Sequence, residues 1–145
     1  MLDPLFGRRV YVDANVFIYF LDQSSPQSLA ATKILEAAAA GDISAVTGQA
    51  AIAEVMVGPY RQGNPLVIRT VREFFDSSTW LDKVDHPAKA FDDAALLRAT
   101  PGMPFVDALH VATASLSRCD VIVTHDARMR PGLAVEVLAL SALSG

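Results

Sequence analysis

The sequence has almost no cysteine and no long hydrophobic run. Its single cysteine, Cys119, excludes an internal disulfide framework and offers no metal-ligand spacing. The longest apolar runs, such as residues 16–21, are far shorter than the roughly 20 residues that a membrane-spanning helix requires. The N-terminal residues, with Arg8 and Arg9, do not have the pattern of a signal peptide. These absences predict a soluble cytoplasmic protein that does not contact a membrane.

The short motifs of several common enzyme classes are also missing. There is no GxGxxG or GxxxxGK[ST] phosphate-binding loop, no GxSxG nucleophile motif and no HExxH zinc motif. Positive charge is scarce too, because the net charge is −4 at pH 7. That charge counts against a large basic face for nucleic acid, although divalent cations held at an acidic site reverse the local field. These absences leave possible one kind of site, in which acidic side chains bind a cation.

What the sequence does contain is a regular alternation of strands and helices. The chain has 145 residues, 52% of them hydrophobic, and no linker composition divides it, so we predict a single domain over residues 1–145. Short apolar strands separated by long helical segments are typical of a parallel sheet covered on both faces. The predicted fold class is therefore α/β, a three-layer α/β/α sandwich with a five-stranded, mostly parallel sheet.

Local signals set the expected boundaries of these elements. Strands are predicted at residues 10–12, 43–47, 79–84, 120–124 and 135–138, the third of them containing the only tryptophan. Helices are predicted at residues 16–21, 26–40, 48–57, 65–75, 87–98 and 104–117. Gly58 and Pro59 are expected to end the third helix, Leu66 to face the core from the fourth, and Thr100-Pro101-Gly102 to form a turn.

Four carboxylates have comparable positions in this layout. Asp13 and Asp126 each follow a short strand, in the parallel phrases VYVDAN and VIVTHD. If those strands are neighbours, both carboxylates open into one crevice at the carboxyl edge of the sheet. Glu54 lies within an apolar helix and Asp107 in the first turn of another. Each Asp alone is explained equally well by helix capping or by the helix dipole.

Glu54 is the acid that a structural role explains least well. Its helix neighbours are apolar, and a buried carboxylate costs several kcal/mol unless it is paired or binds metal. The nearest basic residues, Lys33 and Arg61, are not at helical spacing from it. His110, in contrast, is expected to be a satisfied core histidine. An all-oxygen acidic site selects a hard cation such as Mg²⁺ or Mn²⁺, which supports displacement at a phosphate.

Four motifs in order resemble the PIN-domain family, and within it the VapC-type toxin ribonucleases. They are VDANVFI with Asp13 and Asn15, TGQAAIAEV with Glu54, PFVDALHVATA with Asp107, and VIVTHDARM with Thr124 and Asp126. The likeness covers almost the whole chain. One departure is His125, which stands where family members often have a small polar residue; no loss of activity is expected from it, and it could alter metal preference or pH response.

The resemblance implies strand order 3-2-1-4-5 and a Mg²⁺- or Mn²⁺-dependent endoribonuclease. Asp13, Glu54, Asp107 and Asp126 would then be the catalytic and metal-binding acids, with Thr124 and Asn15 orienting them through hydrogen bonds. It also implies a toxin that acts on RNA as a homodimer and is neutralised by a cognate antitoxin protein. Further RNA contacts are expected from the basic residues Arg128, Arg130 and Arg61. The alternative is a non-catalytic PIN-like domain that binds RNA or protein.

Overall fold

Five parallel strands form the sheet at the centre of this fold. The computed structural model describes residues 2–99 and 102–143, so Thr100 and Pro101 of the predicted turn lie outside the described residues. The strands are Arg9–Val12 (β1), Ser44–Gly48 (β2), Leu81–Val84 (β3), Val121–Thr124 (β4) and Glu136–Ala139 (β5). Their order in the sheet is β3-β2-β1-β4-β5, and all neighbouring pairs are parallel. Both the predicted fold class and the predicted strand order are confirmed.

Helices cover both faces of the sheet and make it the middle of three layers. They are Ala14–Asp22 (α1), Ser28–Ala39 (α2), Gln49–Gln62 (α3), Pro65–Ser77 (α4), Ala88–Arg98 (α5) and Phe105–Leu116 (α6), with 3₁₀ turns at Asp3–Leu5 and Leu140–Leu143. Strand β1 shows how two cores arise. Val10 and Val12 pack with α1 to α4, whereas Tyr11, between them, packs with α5 and α6. Successive side chains of a strand point to opposite faces, so a continuous apolar strand serves both.

The two strands that precede Asp13 and Asp126 are neighbours. Tyr11 pairs with Ile122 and Val12 with Val123 in the β1–β4 ladder. The ladder continues into the turn, because the amide of Asp13 donates to the carbonyl of Val123 at 3.1 Å. The acid that follows each strand therefore lies at the same edge of the sheet. The strand order reverses between these two strands, and the connections that leave them in opposite directions open a crevice at that edge.

Helix α3 is longer than its sequence predicts. Gly58 and Pro59 were expected to end it, but the helix runs through both and ends at Gln62. Pro59 lacks an amide and so removes one hydrogen bond from the helix, and that single loss does not terminate it. The helix ends where Gly63 adopts φ +67°, with its amide bonded to the carbonyls of Pro59 and Tyr60. A left-handed glycine at that position is the commoner stop signal.

Three smaller expectations were also wrong. Trp80 precedes β3 instead of lying in it, because the amide of Leu81 closes a turn onto the Ser78 carbonyl. Leu66 is 66% exposed in the first turn of α4, and deeper positions of that helix are the buried ones. Helix α2 begins at Ser28, not at residue 26. Among residues 2–99 and 102–143, no helix is both long and apolar enough to cross a membrane.

Candidate functional site

A pocket of about 330 Å³ opens at the carboxyl edge of β1 and β4. Its lining contains all four acids that the sequence singles out: Asp13, Glu54, Asp107 and Asp126. They arrive from separate parts of the chain, since Asp13 precedes α1, Glu54 lies on α3, Asp107 lies on α6 and Asp126 follows β4. The fold thus concentrates negative charge in one small space, and such a concentration needs cations or protons to offset it.

Asp13 both caps a helix and lines the pocket. It is the N-cap residue of α1, and its Oδ1 accepts a hydrogen bond from the Ala14 amide at 2.8 Å. Its Oδ2 accepts from the Thr124 hydroxyl at 2.7 Å. The residue is 5% exposed. The two explanations that the sequence left open for this residue are therefore compatible, and the capping contact helps to hold the carboxylate in place.

Asn15 and Thr124 connect the two acids that follow the strands. The Asn15 amide group donates to Asp13 Oδ2 at 3.3 Å and to Thr124 Oγ1 at 3.2 Å. Thr124 Oγ1 also accepts from the amide of Asp126 at 3.0 Å. The side-chain oxygen Oδ1 of Asn15 accepts from the backbone amide of His125 at 2.9 Å. These bonds tie the start of α1 to the turn after β4, so the positions of Asp13 and Asp126 depend on each other.

Asp126 is paired with a cation from its own turn. The Arg128 guanidinium donates to both carboxylate oxygens at 3.2 Å, and the Arg128 amide donates to Oδ1 at 2.9 Å. These bonds hold the pKa of the Asp126 carboxyl at about 2. Asp126 is therefore ionised throughout the neutral range. Arg128 itself remains largely exposed, with its side chain 68% accessible.

Asp107 is the acid whose ionised form is least favoured. Its Oδ2 is buried and has no hydrogen-bond partner among the described residues. Burial is the largest cause, and together with the neighbouring negative charge of Asp126 it raises the pKa of Asp107 to about 7. Two adjacent carboxyl groups resist full ionisation, and one keeps its proton. A buried carboxylate oxygen without a partner, beside other acids, fits the oxygen ligands that a divalent cation takes.

We expect Asp107 to make the metal-free protein less stable as the pH rises from about 4 to about 7. The folded-state pKa of Asp107 lies above its ordinary value of 3.8, so in this window the folded chain binds more protons than the unfolded chain. Each unit of pKa shift corresponds to about 1.4 kcal/mol. Solvent in the open pocket screens part of this, and we expect a total of roughly 1 to 2 kcal/mol. Asp126 acts oppositely, but below pH 4, because its pKa is lowered.

Urea unfolding in EDTA across this range measures the slope. Asp107→Asn is expected to be less pH-dependent than the wild type and more stable at neutral pH. The matched control is Asp92→Asn on the exposed surface of α5, which should retain the wild-type slope. An unchanged slope in Asp107→Asn would show that its carboxyl ionises normally in the folded protein.

Glu54 is not buried, contrary to the sequence-based expectation. Its side chain is 46% exposed, because the helix turns this position toward the pocket, away from the core. It also has a partner that its own helix does not supply. Oε1 lies 2.8 Å from Nε2 of His110 on α6. The apolar neighbours of Glu54 in sequence therefore misrepresent its surroundings in the fold.

His110 is the site residue that the sequence reasoning missed. It is 1% exposed, as expected of a core histidine, but it bonds to Glu54 and its Nε2 lies 3.8 Å from Asp13 Oδ1. Burial by itself lowers the pKa of His110, but the Glu54 hydrogen bond and the charge of Asp13 outweigh it and leave the pKa raised. A signal was present, because Asp107 and His110 are three residues apart and share one helix face.

The remaining candidates do not line the pocket. Arg130 bonds to the carbonyl of Ala127, and Arg61 is exposed in the last turn of α3. His125 is exposed and packs edge-on against Tyr19, with ring centroids 5.3 Å apart. Of the three arginines proposed to contact RNA, Arg128 is the one that the structure shows bonded to an acid of the pocket.

The donor set of the pocket fits a divalent cation. One ligand atom each from Asp13, Glu54 and His110 lies within 4.8 Å of the others. Carboxylate oxygens are the ligands that Mg²⁺ and Mn²⁺ prefer, and the unpartnered oxygen of Asp107 adds a further acceptor to the same pocket. Asp13, Glu54 and His110 therefore offer atoms close enough to share one ion, and Asp107 and Asp126 line the same pocket.

Comparison with known proteins bears on the family and the fold. The sequence model of the PIN domain matches residues 10–131. The fold is similar to that of VapBC2 from Rickettsia felis, solved bound to a promoter DNA fragment, with 16% identity, TM-score 0.70, and coverage of 90% of this chain and 97% of that chain. FitAcB from Neisseria gonorrhoeae gives 18% identity, TM-score 0.69, and coverage of 92% and 99%.

A third similar structure is VapC20 from Mycobacterium tuberculosis, described as a sarcin-ricin loop cleaving toxin. It shares 14% identity with a TM-score of 0.64, and the match covers 78% of this chain and 86% of that chain. At these identities the likeness is one of fold. No curated protein matches the chain significantly in sequence.

Proposed function

The chain belongs to the PIN-domain family, and from that premise we propose that it is a Mg²⁺- or Mn²⁺-dependent endoribonuclease. The observation that supports this most is the convergence of Asp13, Glu54, Asp107 and Asp126 on one pocket. A divalent cation bound there supplies Lewis-acid chemistry, which activates water and offsets the charge that develops on a phosphate during hydrolysis. We take residues 1–145 to act as one domain in this reaction.

The residues of the chain divide this work among them. Asp13, whose oxygens are fixed by Ala14 and Thr124, holds the cation together with the other three acids. Thr124 and Asn15 keep the Asp13 carboxylate and the Asp126 turn in register. An ordered ligand set loses less freedom when the cation binds.

Basic side chains near the pocket are the proposed contacts to RNA. Arg128 is the first of these, because its exposed guanidinium lies beside an acid of the pocket and its planar donors match a phosphate. Arg130 and Arg61 are proposed to contact the RNA backbone farther out. Such contacts would offset the net charge of −4, which by itself repels nucleic acid.

The direct test is cleavage of a structured RNA by the purified chain in Mg²⁺ or Mn²⁺. We expect discrete fragments from the wild type, none after addition of EDTA, and none from Asp126→Asn. A duplex DNA of the same sequence distinguishes a ribonuclease from a general nuclease. Activity that survives EDTA, or equal activity in Asp126→Asn, would refute the proposal.

We further propose that the chain is the toxin of a toxin–antitoxin pair and works as a homodimer in the cytoplasm. Similar folds occur in proteins described as toxin–antitoxin complexes, including one from Klebsiella pneumoniae. Expression of the chain is expected to arrest growth, and a small protein encoded beside it is expected to relieve the arrest. Light scattering of the isolated chain measures the dimer. Unimpaired growth would instead indicate a housekeeping nuclease.

One observation favours the non-catalytic alternative. Arg128 already neutralises Asp126, so one of the four acids has a cationic partner without a metal ion. In that case the domain binds RNA or protein without cleaving it. Calorimetric titration with Mn²⁺ separates the two functions, since the alternative predicts no saturable binding.

A further inference from the structure

A chain of hydrogen bonds runs through the core and ends at one of the four acids. Tyr11 Oη lies 2.7 Å from Nδ1 of His110, and Nε2 of His110 lies 2.8 Å from Oε1 of Glu54. Tyr11 and His110 are both essentially inaccessible to solvent. A buried tyrosine on β1 is thereby connected through a buried histidine on α6 to an acid at the surface of the pocket.

The direction of the bonds in this chain follows from the acceptor at its end. A carboxylate accepts hydrogen bonds and does not donate them, so Nε2 of His110 carries a proton and donates to Oε1 of Glu54. In a neutral imidazole Nδ1 is then the acceptor, and the Tyr11 hydroxyl donates to it. A charged imidazole gives the same result at Nε2. A Cβ at residue 48 would overlap the Tyr11 oxygen, so the close approach of the backbone at this point requires glycine.

A second histidine packs against the imidazole of His110. His86 accepts from the amide of Ala50 through Nε2 at 2.9 Å, and its Nδ1 lies 2.6 Å from the Thr113 hydroxyl. The rings of His86 and His110 are 6.2 Å apart and meet edge to face. Contacts with both Tyr11 and His86 restrict rotation of the His110 ring.

Glu54 needs such a restraint because it borders two cavities. It lines the acidic pocket and also an apolar groove of about 650 Å³ between α1, α3 and α4. The groove is lined by Ile18, Leu21, Val55, Pro59, Val67 and Val71 among others. A long, half-exposed side chain at that boundary has rotamers toward either cavity. The bond from His110 selects the acidic pocket and places the carboxylate on the same side as Asp13.

We infer that the Tyr11–His110 pair is a positioning device that holds Glu54 in the cation site. The inference rests on the proposed function, since it assigns the pair a role toward a bound divalent cation. It also makes His110 a hydrogen-bond donor to Glu54, in contrast to the alternative in which Nε2 is itself a ligand of the cation. Ligation would require Nε2 without its proton, and the Tyr11 bond would then have to reverse.

The test has one arm without metal and one with Mn²⁺. In the metal-free protein, ¹⁵N NMR of the histidine rings reports which nitrogen of His110 carries the proton, and we expect Nε2. Calorimetry with Mn²⁺ then compares the wild type with His110→Leu, which removes the donor, and His110→Gln, which replaces it near the Nε2 position. We expect His110→Leu to lower the Mn²⁺ affinity by roughly 10- to 100-fold and His110→Gln to restore most of it.

Tyr11→Phe keeps the test decisive if the buried histidine variants fail to fold. It removes one hydroxyl without changing the ring, and we expect a roughly tenfold weaker Mn²⁺ affinity. The matched control is Tyr60→Phe on the exposed part of α3, which should bind as the wild type does.

Three results would overturn the inference, and they are distinguishable from one another. Wild-type affinity in both His110→Leu and Tyr11→Phe would remove the positioning role while leaving the proposed function intact. A proton on Nδ1 and none on Nε2 in the metal-free protein would leave Glu54 without this donor and would contradict the positioning role. Absence of Mn²⁺ binding by the wild type would contradict the proposed function itself, and the inference with it.

Discussion

Asp13→Asn is expected to abolish metal-dependent RNA cleavage while leaving the protein folded. The substitution removes one negative charge from the pocket but preserves the shape of the side chain. The amide oxygen of Asn still accepts from Ala14 and caps α1, as Asp13 Oδ1 does at 2.8 Å. Partners that only orient a metal ligand contribute about 10- to 100-fold, so loss of a ligand should cost at least about a hundredfold.

Cleavage rates at saturating Mn²⁺ and the midpoint of thermal unfolding together measure this result. Asp42→Asn is the matched control, because Asp42 is exposed just before β2, at the opposite edge of the sheet from the pocket. We expect the control to cleave as the wild type does and both variants to unfold cooperatively. Cleavage by Asp13→Asn at more than a tenth of the wild-type rate would exclude Asp13 as a ligand.

The layered fold could be predicted from the sequence because its strands are apolar on both faces. Residues 10–12 alternate between two cores, and a continuous apolar strand is what such a position requires. The wrong predictions concern local sequence signals that are compatible with more than one structure. Pro59 was expected to end α3, but Gly63 ends it, because one missing hydrogen bond is tolerated and a left-handed residue is not continued.

The candidate site, too, could be predicted from the sequence only in part. That Asp13 and Asp126 meet at one edge follows from strand order, and the strand order came from the family likeness. The environment of Glu54 did not follow, because exposure depends on which way α3 faces and the helix neighbours are apolar on every side. Its partner, His110, is 56 residues away, and sequence neighbours carry no information about such a contact.

Arg128 shows the limit of assigning charged side chains from sequence. Arg128 was predicted to contact RNA, and that prediction stands untested, but its bond to Asp126, two residues before it, was not predicted. The turn after β4 brings the guanidinium back onto the carboxylate that begins it. A contact this local depends on backbone dihedrals that the residue types leave undetermined.

Phe17→Ala is expected to destabilise the fold by roughly 3 to 5 kcal/mol, a large part of the stability of a domain this size. Phe17 is fully buried on α1 and packs edge-on against Phe75 and Phe74 of α4, with centroids 5.1 and 6.2 Å apart. Truncation removes these contacts and leaves a cavity between the two helices. Urea unfolding at neutral pH measures the loss.

The matched control is Phe6→Ala, because Phe6 is 50% exposed and should cost about 1 kcal/mol or less. A loss below about 2 kcal/mol for Phe17→Ala would mean that α1 and α4 close over the cavity. The contrast with Asp13→Asn is informative, since both residues belong to the first turns of α1. Asp13→Asn is expected to remove activity and leave stability unchanged. Phe17→Ala is expected to lower stability without changing the charge of the pocket. The buried face of α1 therefore fixes the position of the helix, and with it the position from which its N-cap residue, Asp13, places a carboxylate in the pocket.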